Sequence, residues 1–160
     1  MSTLIFYTSR HGCTEKTAEI LKSKLDDAVT MVNLKKNKKP DLSAFDTIII
    51  GGSIHAGKMP GSLRKYLANN LDALKKKRLA LYLCCMEEGE GAQRQFDEAF
   101  PEELRNHASV KGLFGGEFNF DRMNFIEKYI VKKVAKVTEP VSNIKEENIS
   151  QFVASLNSAA

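Results

Sequence analysis

Hydroxyl and glycine residues are crowded into one short stretch near the start of the chain. The apolar run Leu4-Ile5-Phe6-Tyr7 leads into Thr8-Ser9-Arg10-His11-Gly12-Cys13-Thr14, and a helix-forming pattern begins at once. Strand, hydroxyl-rich loop and helix is the layout of an anion site. The hydroxyls and the unpaired amides of the helix start can donate to one anion, and the helix dipole adds positive potential there. Capping a helix takes a single hydroxyl. Thr8, Ser9 and Thr14 supply three, so the spacing predicts a site for a phosphorylated ligand over residues 8–14. Arg10 in that loop would neutralise part of a phosphate dianion.

Two further loops rich in small residues follow apolar runs. One is Gly51-Gly52-Ser53-Ile54-His55-Ala56-Gly57-Lys58, and the other covers 84–92 and contains Met86, Glu87, Glu88 and Gly89. A phosphate loop ending in Gly-Lys-Ser/Thr and a GxGxxG fingerprint are both missing from the chain, which argues against a nucleoside triphosphate or a dinucleotide bound by those routes. The three cysteines, Cys13, Cys84 and Cys85, match no metal-site spacing. Neighbours on a strand point to opposite faces, so Cys84 and Cys85 are poorly placed to bridge each other. Cys13 lies near a helix start, where a thiol pKa falls.

The elements that must carry these loops alternate along the chain. Strands are predicted over 3–8, 29–34, 45–52, 78–86 and, broken by glycine, 109–118. Helices are predicted over 13–27, from Pro60 at the first helical position onward, over 92–106 with a new turn at Pro101, and over 121–136 with Asp121 as N-cap. A last helix starts at Asn143 or Lys145, with Ile149, Phe152, Val153 and Leu156 on one face, and 87–92 is read as a loop. This alternation predicts an α/β fold, a parallel sheet with helices on both faces and right-handed crossovers. In such sheets ligands bind outside the carboxyl ends of the strands, where all three loops lie.

With 160 residues, 42% hydrophobic and 28% charged, the expectation is a single soluble domain over 1–160. Apolar runs fall short of the roughly 18–20 residues that span a bilayer. An apolar strand three residues from the start leaves no room for a signal peptide, so the expected location is cytoplasmic. The net charge is +4. The lysine clusters at 35–39 and 75–78 lack interleaved aromatics, which argues against nucleic acid as a partner. In 121–136 the apolar stripe Met123, Ile126, Ile130 and Val134, with Phe125 and Tyr129 beside it, reads first as core. Lys128, Lys132, Lys133 and Lys136 give this helix a basic side, and an amphipathic basic helix can also rest on anionic lipid.

The first loop resembles the Thr/Ser-x-Thr-Gly-x-Thr loop of the flavodoxin-like family. It matches at Thr8, Ser9, Gly12 and Thr14, with Arg10 in place of a hydroxyl. The resemblance implies a three-layer α/β/α sandwich with a five-stranded parallel sheet in the order 2-1-3-4-5; flavodoxins are themselves a standing example of the switch-point rule. It implies non-covalent FMN and electron transfer. Thr8, Ser9, Arg10, His11, Gly12, Cys13 and Thr14 would then hold the phosphate. Ser53, Ile54, His55, Ala56, Gly57, Met86, Glu87, Glu88 and Gly89 would surround the ring. His55 stands where flavodoxins often stack an aromatic, and the peptide of Ala56 or Gly57 would face the flavin N5. Two adjacent carboxylates, Glu87 and Glu88, would lower the flavin potential by repulsion.

Ser9–Thr14, Gly51–Gly57 and Asp121-Arg122-Met123-Asn124-Phe125-Ile126 also resemble the menaquinone-dependent protoporphyrinogen oxidase branch. That resemblance implies oxidation of a porphyrinogen with a quinone as acceptor. The implied partner is therefore a redox protein or a quinone, with peripheral membrane contact through 121–136 at the inner face. A flavin-free regulatory module of the response-regulator kind is the reading from another class. The first strand lacks the paired acids at its end that would hold magnesium in such a module.

Overall fold

The centre of the sheet forms from runs that are buried on both faces. The computed structural model describes residues 1–9, 12–55, 57–118, 124–134 and 141–159. Strands β1 (Ser2–Tyr7), β2 (Ala28–Asn33), β3 (Thr47–Ser53), β4 (Arg78–Cys84) and β5 (Val110–Leu113) form one sheet. Its order is β2-β1-β3-β4-β5, and every neighbouring pair is parallel. This is the order that the resemblance implies. Central β3 is buried along its whole length, as expected for a strand with helices on both sides.

Strand alternation divides the core in two. On one face Leu4, Phe6, Ile48, Ile50, Leu81 and Leu83 pack against α2 (Gly61–Asn69), α3 (Leu71–Lys75), α4 (Gly89–Ala99) and α5 (Glu102–His107). On the other, Ile5, Ile49, Ala80 and Tyr82 pack against α1 (Cys13–Lys24) and α7 (Glu146–Ser158), the latter through Ile149, Phe152, Val153 and Leu156. Cys84 falls in the second cluster and Cys85 in the first, on opposite faces as their adjacency predicts.

A bare position on β3 lets the layers interlock. A Cβ on Gly51 would lie 2.3 Å from the Tyr82 ring. Without one, Tyr82 of β4 lies over β3, stacks on Phe114 at 4.5 Å between ring centroids, and donates to the Thr14 carbonyl at 3.3 Å. The first turn of α1 is thereby fixed to β4 across the strand between them.

Several expected boundaries shift. The first helix stops at Lys24, and Pro60 stands as the N-cap of α2. The stretch 87–92 is a loop only as far as Glu88, because α4 starts at Gly89. The predicted fifth strand is two strands. β5 ends at Leu113, the chain turns at Gly115 with φ +76°, and β6 (Gly115–Phe118) pairs antiparallel with β7 (Val141–Ile144) in a separate ribbon. The last helix therefore begins after β7, at Glu146.

Helix α6 (Phe125–Val134) corrects the reading of 121–136. Asp121, Met123 and Lys136, with the side chains of Ile130 and Val134, lie outside the described residues. Asn124 is the cap: its Oδ1 accepts the Glu127 amide at 2.8 Å. Phe125, Ile126 and Tyr129 are exposed and not core.

The tyrosines give the fold an alkaline limit. Burial, helped by Glu15, pushes Tyr7 up to about 12, and burial also raises Tyr66 and Tyr82. Below the ordinary tyrosine value of 10, these phenols are protonated in both folded and unfolded chains. Above it, the unfolded chain ionises first, so stability is lost as pH rises from about 10 to 12. A tenfold difference in proton affinity between the two chains corresponds to about 1.4 kcal/mol. Thermal melts across that window should show a loss of at least about 2 kcal/mol.

Candidate functional site

The carboxyl ends of β1 and β3 present buried hydroxyls. Thr8 is fully buried, and its Oγ1 has no hydrogen-bond partner among the described residues. Ser53, the last residue of β3, is also buried and its Oγ also lacks a partner. The β1–β3 register pairs Tyr7 with Gly51, so these residues end adjacent strands. A buried hydroxyl without a partner costs free energy that a bound acceptor would return.

Ser9 shapes the loop that follows. Its Oγ accepts the Gly12 amide at 3.0 Å, and Gly12 sits at φ +90° as the N-cap of α1. Glycine has no side chain with which to cap, and no side chain among the described residues caps this helix start. The first amides of α1 thus remain available at the positive end of its dipole. Thr14 is buried, and its carbonyl accepts from the Tyr82 hydroxyl. Arg10, His11 and Ala56 lie outside the described residues.

Cys13 opens α1 and Thr17 follows one turn later, so both reach the end of β4. Thr17 Oγ1 lies 3.3 Å from Cys84 Sγ. The neighbouring Cys84 thiol is the chief cause that lowers Cys13, and Cys13 in turn, with burial, raises Cys84. Burial pushes Cys85 up to about 11. Thiolate is the reactive form, so Cys13 should be alkylated by iodoacetamide at lower pH than an ordinary thiol. Cys84 and Cys85 should stay protected in the folded chain, as peptide mass spectrometry after timed labelling would show.

The second loop makes a tight turn above the same edge. Ile54 donates its amide to the Cys84 carbonyl at 3.1 Å. His55 and Lys58 then close the turn with reciprocal backbone bonds of 2.8 and 3.0 Å. Gly57 occupies the third position at φ +77°, and a Cβ there would meet nothing within 4 Å. Glycine is needed at 57 for its backbone angle and not for space.

The third loop differs from expectation. Glu88 accepts from Lys145 Nζ at 3.1 Å and Asn143 Nδ2 at 3.0 Å. These bonds, that of Lys145 foremost, hold its carboxyl below the usual range. Glu87 folds back toward α4, where a Cβ on Gly91 would lie 2.8 Å from its Oε2. Of the two adjacent carboxylates, Glu88 therefore has a cation, Lys145, beside it. Met86 packs against Gly116, where a Cβ would come within 2.7 Å of its sulfur.

The β6–β7 ribbon frames the site from both sides, and the sequence pattern alone does not predict it. Asn143 and the adjoining Lys145 hold Glu88. Glu117 of β6 pairs with Lys16 of α1 at 3.3 Å and accepts from Ser142 at 3.1 Å. The Gly115-Gly116 pair inside an apolar run is the signal for a bend. Among the described residues, no cluster of His, Cys, Asp or Glu could hold a metal ion, and no helix is long and apolar enough to cross a membrane.

The family model of the flavodoxin domain matches residues 4–144. No curated protein matches the chain. Among solved structures, the chain is similar to oxidised flavodoxin 2 of Bacillus cereus, with 19% identity, TM-score 0.63 and full coverage of both chains. It is also similar to the flavodoxin of Streptococcus pneumonia TIGR4, with 17% identity, TM-score 0.62 and full coverage of both. A flavodoxin mutant of Fusobacterium nucleatum bound to flavin mononucleotide is similar at 14% identity and TM-score 0.54, over 98% of this chain and 95% of that one. At these identities the likeness speaks for the fold.

Proposed function

The chain belongs to the flavodoxin domain family, and on that premise we propose that it binds FMN non-covalently and carries electrons. The observation that carries this reading is the pair of buried, unpartnered hydroxyls, Thr8 and Ser53, ending adjacent strands beside the uncapped start of α1. That donor set suits a phosphate and the polar edge of a planar ring. FMN supplies the redox chemistry when bound, and the chain supplies binding and electrostatics. Thr8, Ser9 and Thr14 with the amides from Cys13 onward anchor the phosphate, and Arg10, His11 and Gly12 belong to the same loop. Ser53, Ile54, His55, Ala56 and Gly57 border the ring on one side, and Met86, Glu87, Glu88 and Gly89 on the other. The Glu88–Lys145 pair lessens negative potential on that second side.

The purified protein should be yellow and should release FMN, not FAD, on denaturation. A colourless protein that takes up no FMN under oxidising or reducing conditions overturns this reading and favours the flavin-free module. A second reading rests on the exposed apolar residues of α6: oxidation of a porphyrinogen-type substrate with a membrane quinone as acceptor. It is tested by porphyrinogen oxidation with a menaquinone analogue in the presence of lipid. Turnover no faster than with free FMN leaves the electron carrier, with a redox protein as partner.

A further inference from the structure

Helix α6 presents three large apolar side chains to solvent: Phe125 at 85%, Ile126 at 69% and Tyr129 at 58% exposure. Among the described residues only Met1, at the terminus, joins them as a large exposed hydrophobic. None of the three belongs to either core cluster or packs against one. At 3.6 residues per turn, positions 125, 126 and 129 share one narrow strip of the helix. Lys128 borders that strip, and Lys132 and Lys133 continue it one turn on, both exposed. Glu127, the helix's acid, falls on the other side by the same spacing.

We propose that this strip of α6 seats on an anionic lipid surface. The occupant follows from the composition. Phenylalanine, isoleucine and tyrosine on one face can enter the boundary between headgroups and acyl chains. Flanking lysines have long apolar stems that let their ammonium groups stay among the phosphates. Each basic residue near an anionic surface raises binding by about fivefold, and the net charge of +4 draws the whole chain the same way. The inference does not depend on flavin binding.

The test is co-sedimentation of the full chain with vesicles of phosphatidylcholine alone and of phosphatidylcholine mixed with phosphatidylglycerol. Binding is expected to the mixed vesicles and not to the neutral ones, and it should fall as salt is raised. The triple variant Lys128→Gln, Lys132→Gln, Lys133→Gln should lower partitioning about a hundredfold. The double variant Phe125→Ser, Ile126→Ser should abolish binding while leaving the melting temperature and any flavin spectrum unchanged. Absence of binding to anionic vesicles at low salt overturns the proposal, as does equal binding to neutral ones or wild-type binding by both variants. A lipid-free dimer that the double variant dissolves also overturns it and gives the face to a second copy of the chain. Loss of the flavin reading would show separately, as missing flavin absorbance.

Discussion

Thr8→Val is expected to stabilise the ligand-free protein by about 1 kcal/mol and to weaken FMN by tenfold or more. The two effects share one cause. The Thr8 hydroxyl is fully buried and unpartnered, so the ligand-free fold bears its desolvation, about 1–3 kcal/mol for such a group. Valine has the same shape without the polar atom. In the complex the hydroxyl would donate to a phosphate oxygen, a charge-assisted bond worth about 1.5–3 kcal/mol. Ser53→Ala should act in the same sense at the ring side of the site. Thr47 supplies an internal control, because its Oγ1 is also buried and unpartnered but lies at the amino end of β3. Thr47→Val should stabilise the protein and leave FMN affinity unchanged. Thermal melts of the ligand-free protein and titration by flavin fluorescence read both quantities. If Thr8→Val and Thr47→Val behave alike in the titration, the phosphate lies elsewhere.

Much of this arrangement is legible in the sequence because strand pattern and loop chemistry are local. Apolar runs such as Thr47–Ser53 announce a strand buried on both faces, and the hydroxyl cluster marks the loop that carries the buried Thr8, Ser9 and Thr14 from β1 into α1. What stays hidden depends on partners distant in sequence. Tyr82 reaches the Thr14 carbonyl across β3, where Gly51 leaves room for its ring, and Cys13 lies beside Cys84, 71 positions on in the chain. Glu88 looks like a free carboxylate until the chain returns at Asn143 and Lys145. The period of α6 shows that one face is apolar, yet nothing local says whether a neighbour covers it. The Gly115-Gly116 pair reads as damage to one strand because its reason is a partner strand that begins at Val141.

That same glycine sets the second large effect. Gly115→Ala is expected to cost about 3 kcal/mol or more and to lower the melting temperature by roughly 10 °C. Gly115 sits at φ +76°, a region where a side chain is strained. A Cβ there would also fall on the backbone carbonyl oxygen of Asn143 in the partner strand. A backbone atom cannot swing aside as a side chain can, so the ribbon must move as a unit. Its movement would strain two further contacts, the Cys85 amide bonded to the Gly115 carbonyl and the Lys145 amide bonded to the Phe114 carbonyl, each at 2.9 Å. The first holds the start of the loop that carries Met86 to Gly89, and the second holds the lysine that meets Glu88. Flavin affinity should therefore fall with stability even though Gly115 is not proposed to touch the ligand. Gly57→Ala makes the comparison: its φ is +77°, but the space around it is open. That variant carries only the backbone strain, about 1 kcal/mol. If the two variants melt together, the Asn143 carbonyl does not constrain the turn, and the ribbon is not what holds the third loop in place.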